Sequence, residues 1–336
     1  MKRIGITATI PVEAVFAASL TPVDLNNVFI TNFSPSRFID AAHSEGFPRN
    51  VCSWVKAMYS VARQSKIDAI IAVANGDCSN NQTIAELFKD MGIKVHEFSF
   101  PTDPHAESAR RRLIEEIDNL CAFLGIDREK LYAAFEDIKR IRRKLKELDE
   151  LTAKGYVTGE ENHSWLVSSS DFKGDLELFE HDLDAFLISA KKRPPKSSVV
   201  RLAFVGVPPL ITNLYEYINR IGAEVVYNEV QRQFAQFTML DEKGDIYDQY
   251  LNYTYPYSVA GRIKDIKENL QTRNAAGVIH YVQSFCHRQM HDLLFRKHIE
   301  LPLLSLEADA PGKLDERSKI RLESFVEMLR GKTESQ

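Results

Sequence analysis

Across residues 1–104 short apolar runs alternate with amphipathic stretches: "RIGITAT", "PVEAVFAASL", "SWVKAMYSVARQ", the strand-like "DAIIAVAN", "NQTIAELFKDMG" and "KVHEFSF". Short apolar runs separated by segments of helical period predict parallel strands joined by crossover helices. The alternation returns from "VVRLAFVGV" onward, through "NLYEYINRIG", "AEVVYNEV", the long segment 245–272, "AAGVIHYVQSF", "RQMHDLLFRKH", "LPLLSLEAD" and "DERSKIRLESFVEMLRG". The pattern is that of an α/β protein in which one architecture occurs twice.

Between the two sets, residues 105–154 hold two long helical patterns. Leu131, Phe135, Ile138, Ile141, Leu145, Leu148 and Leu151 form an apolar stripe,. The adjacent "KRIRRK" reads as a solvated helix face. Residues 155–174, "GYVTGEENHSWLVSSSDFKG", read as a polar connection, and "KKRPPKSS" at 191–198 as a proline-containing linker,. The expected organisation is an N-terminal α/β domain over 1–104, a helical connecting segment over 105–195 and a C-terminal α/β domain over 196–336.

A chain of 336 residues, 44% hydrophobic and 27% charged, accommodates two such cores,. Its formal charge of −4 offers no attraction to nucleic acid or an anionic membrane, and no arginine-rich or aromatic-basic block supplies a local one,. The opening "MKRIGITATIPVEAVFAASLTPVDL" is interrupted by Pro11 and Glu13, and no run of about 20 apolar residues follows,. A soluble, cytoplasmic protein is expected.

The chain contains neither G-x-x-x-x-G-K-[ST] nor G-x-G-x-x-G after a strand, so ATP or NAD binding has no support,. It also lacks G-x-S-x-G and H-E-x-x-H,. The four cysteines include no close-spaced pair, which argues against a disulfide framework,.

Three of those cysteines share a local setting. Cys52 precedes "SWVKAMYSVARQ", Cys78 closes "AIIAVANGDC" before "NNQTIAELF", and Cys286 closes "VIHYVQSFC" before "HRQMHDLLF". Ligands of open α/β sheets collect beyond the carboxyl ends of the strands, and a following helix favours a thiolate there. Three convergent thiolates suit a soft metal or an iron–sulfur cluster, and a 4Fe–4S cluster so held would leave one iron open. Simple burial is the alternative for each. Cys121, among Ile117, Leu120 and Leu124, reads as core. His287 and His291, four residues apart, could join Cys286 in a zinc site.

Taken in order, "IPVEAVFAASLTPVDL", "NVCSWVK", "IIAVANGDCSN", "HYVQSFCHRQ" and "LPLLSLEADAPGKLDERSKIRLESFVEML" resemble the D-component family of 2-hydroxyacyl-CoA dehydratases. That family includes subunits of 2-hydroxyglutaryl-CoA dehydratase and benzoyl-CoA reductase. In the last stretch Glu307, Asp309, Arg321 and Phe325 carry the likeness. The resemblance implies two Rossmann-like (flavodoxin-like) parallel-sheet domains with a helical middle segment and a 4Fe–4S cluster at the domain interface, one per chain. Cys52, Cys78 and Cys286 match its ligands, and Cys121 matches none.

The resemblance also implies an acyl-CoA substrate, a separate ATP-dependent iron–sulfur activator, and a homodimer or a heterodimer with a related subunit. The family reaction dehydrates a 2-hydroxyacyl-CoA to an enoyl-CoA through a ketyl radical. The alternatives are an ATP-dependent reductase, with a double-cubane cluster or of the benzoyl-CoA reductase type, and a non-catalytic cluster-bearing subunit. Glu13 and His287 are the candidates for proton transfer, with Tyr255 and Tyr281 as possible hydrogen-bond donors.

Overall fold

A computed structural model describes residues 2–196, 200–237, 240 and 244–333. Ser197 and Ser198 of the expected linker, and Val199 at the start of the second repeat, lie outside the described residues. Among the described residues eight strands are formed: β1 Arg3–Ile6, β2 Thr21–Asp24, β3 Ala69–Asn75, β4 Lys94–Ser99, β5 Val200–Gly206, β6 Ala223–Asn228, β7 Gly277–Gln283 and β8 Leu303–Ala308. They make two four-stranded sheets with the orders β2-β1-β3-β4 and β6-β5-β7-β8. Every pairing is parallel. Both sheets thus have the strand order of doubly wound folds, which reverses direction between the first and third strands of each set.

The continuous apolar runs follow from this topology, because a parallel sheet covered by helices on both faces is buried on both. In β5 and β7 alternate residues serve opposite faces. Leu202, Phe204, Ile279 and Tyr281 pack with Leu322, Phe325, Val326 and Leu329 of the helix Glu316–Thr333. Ala203, Val205 and Val278 pack instead with Ile266, Leu270 and Phe295.

The described residues form two compact units, each discontinuous in sequence. The first draws on Met1–Lys144, Ser168–Asp182 and Gln233–Ser258, the second on Leu145–Val167, Leu183–Arg232 and Val259–Gln336. The expected connecting segment 105–195 is therefore shared between the units. Residues 233–258, expected in the C-terminal domain, belong to the first, where Tyr247, Tyr250 and Tyr253 enter the core with Ile71, Val73 and Phe100.

Residues 155–174 are not a polar connection: Gly159–Ser168 is a helix with Asn162, Leu166 and Val167 buried. The signal is a capping box, T-x-x-E at 158–161. Glu161 accepts from the Thr158 backbone N–H at 3.0 Å, and the Thr158 hydroxyl accepts from the Glu161 N–H at 3.2 Å.

The helix Arg128–Ala153 buries its whole apolar stripe, together with three charged residues in register with it, Lys139, Arg142 and Asp149. Arg142 lies four residues after Ile138 and three before Leu145, and is 1% exposed. The "KRIRRK" run is therefore not wholly solvated. Arg142 donates to Glu13 at 2.5 Å, and Glu13 also accepts from the Tyr250 hydroxyl at 2.8 Å. Asp149, four residues after Leu145, is bound by Arg273 and, at 2.9 Å, by Arg232 in the second unit. Each pair satisfies charges that water no longer reaches.

A second buried carboxylate group ties Ser168–Asp182 into the first unit. Asp171 accepts from the Asp24 backbone N–H at 2.9 Å, and the Ser170 hydroxyl donates to the Asp24 carboxylate at 2.7 Å. Burial, and then the nearby Asp24 charge, push the Asp171 carboxyl up to about 7. Among the described residues no helix is long and apolar enough to cross a membrane.

Arg142→Met leaves Glu13 buried without its cation and is expected to lower unfolding free energy by about 3–5 kcal/mol. The Arg142→Met/Glu13→Gln double variant is expected to recover part of that loss in urea titrations. Because Asp171 binds its proton more tightly folded than unfolded, its stabilising contribution is full below pH ~4 and lost as pH rises through ~7,. Unfolding midpoints measured from pH 4 to 8 are expected to fall less steeply in Asp171→Asn than in the wild type.

Candidate functional site

In the first unit β3 runs into the turn Asn75–Gly76–Asp77–Cys78. Gly76 has φ +111°, and a Cβ there would stand 2.7 Å from the Phe100 ring and 2.8 Å from Pro256. Only glycine meets both conditions without strain. The Asn75 side chain donates to the Phe100 carbonyl at 2.6 Å. Asp77 then organises the start of the next helix, accepting from the Cys78 N–H and from the Asn81 side chain, each at 2.9 Å.

Cys78 is the N-cap of the helix Ser79–Asp90, with extended backbone angles. Its carbonyl accepts from the N–H of Asn81 at 3.0 Å. Cys52 is the N-cap of the helix Ser53–Gln64, again extended, and its carbonyl accepts from Val55 at 3.1 Å. Buried Lys56 reaches back from that helix to the Arg49 carbonyl at 2.7 Å and pins the loop before the cysteine. Cys52 differs from the sequence reading in one respect: it follows the helix Ser36–Ser44 and a loop rather than a strand.

In the second unit β7 runs into Ser284–Phe285–Cys286. The Cys286 N–H donates to the Gln283 carbonyl at 3.1 Å, and Phe285 adopts φ +63°, unusual for a residue with a side chain,. Gln283 donates to the Asp309 carbonyl at 2.7 Å, and Ser284 donates to the Glu307 carboxylate at 3.2 Å. The acidic segment thus holds the cysteine loop. Arg321 donates to the Ser305 carbonyl at 2.7 Å, and Phe325 packs on Gly277, where a Cβ would lie 2.9 Å from its ring. Both seat the C-terminal helix against the sheet.

Cys286 therefore stands three residues beyond the third strand of its sheet, as Cys78 does in the other. Cys121 sits within the first unit's core, and burial, then the Asp118 charge, push its thiol up to about 11. None of the four forms a disulfide. Among the described residues no group of three or more His, Cys, Asp or Glu side chains is gathered to hold a metal ion.

Of the proton-transfer candidates, Glu13 is 0% exposed and engaged by Arg142, Tyr250 and Gln249. Its carboxylate is part of the core. His287 is exposed at the start of a short 3-10 turn, His287–Met290. Tyr281 is buried, its hydroxyl accepting from the Leu210 N–H at 3.0 Å, and Tyr255 stacks on Tyr253. His291 accepts on Nδ1 from Arg262 at 3.1 Å, which takes one of the two nitrogens a zinc site with Cys286 would draw on.

A sequence model described as 2-hydroxyglutaryl-CoA dehydratase, D-component, matches residues 7–329. The chain belongs to that family. No curated protein matches it. Membership makes the protein a component of the 2-hydroxyacyl-CoA dehydratase type, from a family that in general bears a cluster and works on acyl-CoA with an activator partner.

Gly76→Ala forces a side chain into the Phe100 and Pro256 contacts at a positive φ. It is expected to cost about 1–3 kcal/mol. Gly312→Ala, which meets nothing within 4 Å, is expected to stay within about 0.5 kcal/mol of the wild type. Thermal unfolding of both variants checks the difference.

Proposed function

We propose that the chain is the cluster-bearing component of a 2-hydroxyacyl-CoA dehydratase, and that Cys52, Cys78 and Cys286 hold one 4Fe–4S cluster per chain. The observation that carries this reading is the repeated station of Cys78 and Cys286, three residues past the third strand of two equivalently ordered sheets. That station is the carboxyl-end position at which doubly wound sheets bind ligands. The chemistry of the donor set fits the group, since iron–sulfur clusters are held by cysteine thiolates.

When bound, such a cluster supplies a low-potential electron to the thioester carbonyl and an iron position open to oxygen. The chain's own residues hold and orient. Cys52 and Cys78 cap twelve-residue helices, whose N-terminal partial charge favours anionic sulfur. Asp77, Gly76 and Lys56 set the backbone that presents them. Glu307 and Asp309 do the same for Cys286. Neither Glu13 nor His287 is retained as a proton-transfer group: the first is closed in the core, and the second has no partner to fix its ring among the described hydrogen bonds. The electron comes from a separate ATP-hydrolysing activator, and the working unit is a homodimer or a heterodimer with a related chain.

Anaerobic iron and sulfide quantification tests the assignment. Wild type and Cys121→Ala are expected to carry about four irons per chain, the content of one cubane. Cys52→Ala, Cys78→Ala and Cys286→Ala are each expected to lose most of it. Loss from Cys121→Ala with retention in any of the other three overturns the ligand set. About eight irons per chain would indicate a double cubane instead.

A further inference from the structure

Beyond β6 and β7 the second unit contains a chain of contacts that the cysteine assignment does not use. Glu229, wholly buried, accepts from Arg262 Nε at 2.7 Å and from a terminal guanidinium nitrogen at 2.8 Å. It also accepts from the Gly206 N–H at the end of β5, at 3.1 Å. The guanidinium lies over the ring of buried Phe295, 5.4 Å from its centroid. Its remaining terminal nitrogen faces His291 Nδ1 at 3.1 Å.

A guanidinium has only donors, so Nδ1 must offer its lone pair. In a neutral ring the proton is then on Nε2. Protonation is opposed by burial first, then by Arg262 on the helix Val259–Thr272, Arg288 and His287 on the 3-10 turn, and His280 on β7. Together they bring His291 down to about 4, so the ring is neutral near pH 7. The neighbouring His280 cannot exchange roles with it, since its Nδ1 is paired with Asp292 at 2.8 Å. The Arg262 contact is the one hydrogen bond the His291 side chain makes among the described residues. His291 is half-buried, five residues beyond Cys286.

We propose that Arg262, oriented by Glu229, is a positioning residue that locks His291 as a neutral imidazole protonated on Nε2, and that this N–H donates to the thioester carbonyl oxygen of the bound acyl-CoA. The second clause rests on the function proposed above, and the first does not. No proton is transferred. A fixed neutral donor stabilises negative charge developing on that oxygen, as donors do in oxyanion holes.

Two measurements test it on the holoprotein. In ¹⁵N-histidine-labelled protein, the resonances lost in His291→Gln identify the ring; they are expected to show a bare Nδ1 and a protonated Nε2, unchanged from pH 6 to 9. Arg262→Lys, which keeps the charge but not the fork, is expected to give mixed tautomers. A protonated Nδ1, or a cationic ring in that range, overturns the lock. In steady-state assays with 2-hydroxyacyl-CoA, His291→Phe is expected to lower kcat about a hundredfold. Iron content and the cluster's midpoint potential are expected to be unchanged, and His291→Gln, which places an amide N–H near Nε2, to restore much of the rate. Unchanged kcat in His291→Phe, or a shifted potential, overturns the donor role. A wild type that turns over no 2-hydroxyacyl thioester refutes the functional reading and with it the donor role, while the tautomer result stands on its own.

Discussion

A charge removed from water has to meet its opposite, and the helix Arg128–Ala153 imposes that requirement on both units. Arg142 finds Glu13 in the first, and Asp149 finds Arg273 and Arg232 in the second. An apolar stripe alone can slide or rotate over an apolar partner with little loss of contact. A buried ion pair cannot, because any register that separates it strands an uncompensated charge at a cost of several kcal/mol. These contacts therefore specify where the helix packs within each unit. The one in the first unit also fixes the short helix Glu13–Ala17, which is too short to persist through its own hydrogen bonds,.

The two sheets apply one topology to different loops. In each, the third strand ends in a turn with a positive φ, at Gly76 in one and Phe285 in the other, followed by a cysteine that caps the next turn of helix. The surroundings differ. Asp77, just before the helix, and Asn81, in its first turn, organise Cys78 locally, while Cys286 is held from the neighbouring strand β8 and the loop after it, through Glu307 and Asp309. Local sequence carries the first arrangement, whereas the second depends on a parallel pairing between segments more than twenty residues apart.

Histidine shows how far chemistry depends on the partner rather than the residue type. His280, His287 and His291 lie within one short stretch of chain, yet each has a different environment. His280 is buried and bound to a carboxylate, His287 is exposed, and His291 faces a guanidinium. Proximity to Cys286 in sequence favoured His287. At Nδ1 His280 meets a carboxylate acceptor and His291 a guanidinium donor, and the second partner arrives from a helix almost thirty residues upstream.

Periodicity alone determined that the chain holds two α/β repeats, that Leu131 to Leu151 form a buried stripe, and that Cys121 differs from the other cysteines. These are properties of which face a residue occupies, and face is a local quantity. The buried charges at Arg142 and Asp149 were partly legible too, since both share the stripe's register, as was the T-x-x-E cap that turns 158–168 into a helix. Only the tertiary structure decided that 233–258 belongs with the first unit, that Glu13 is buried against Arg142 and Tyr250, and that His291 meets Arg262. Those outcomes depend on partners far away in sequence, and the electrostatic state of a buried group is set by what surrounds it in space.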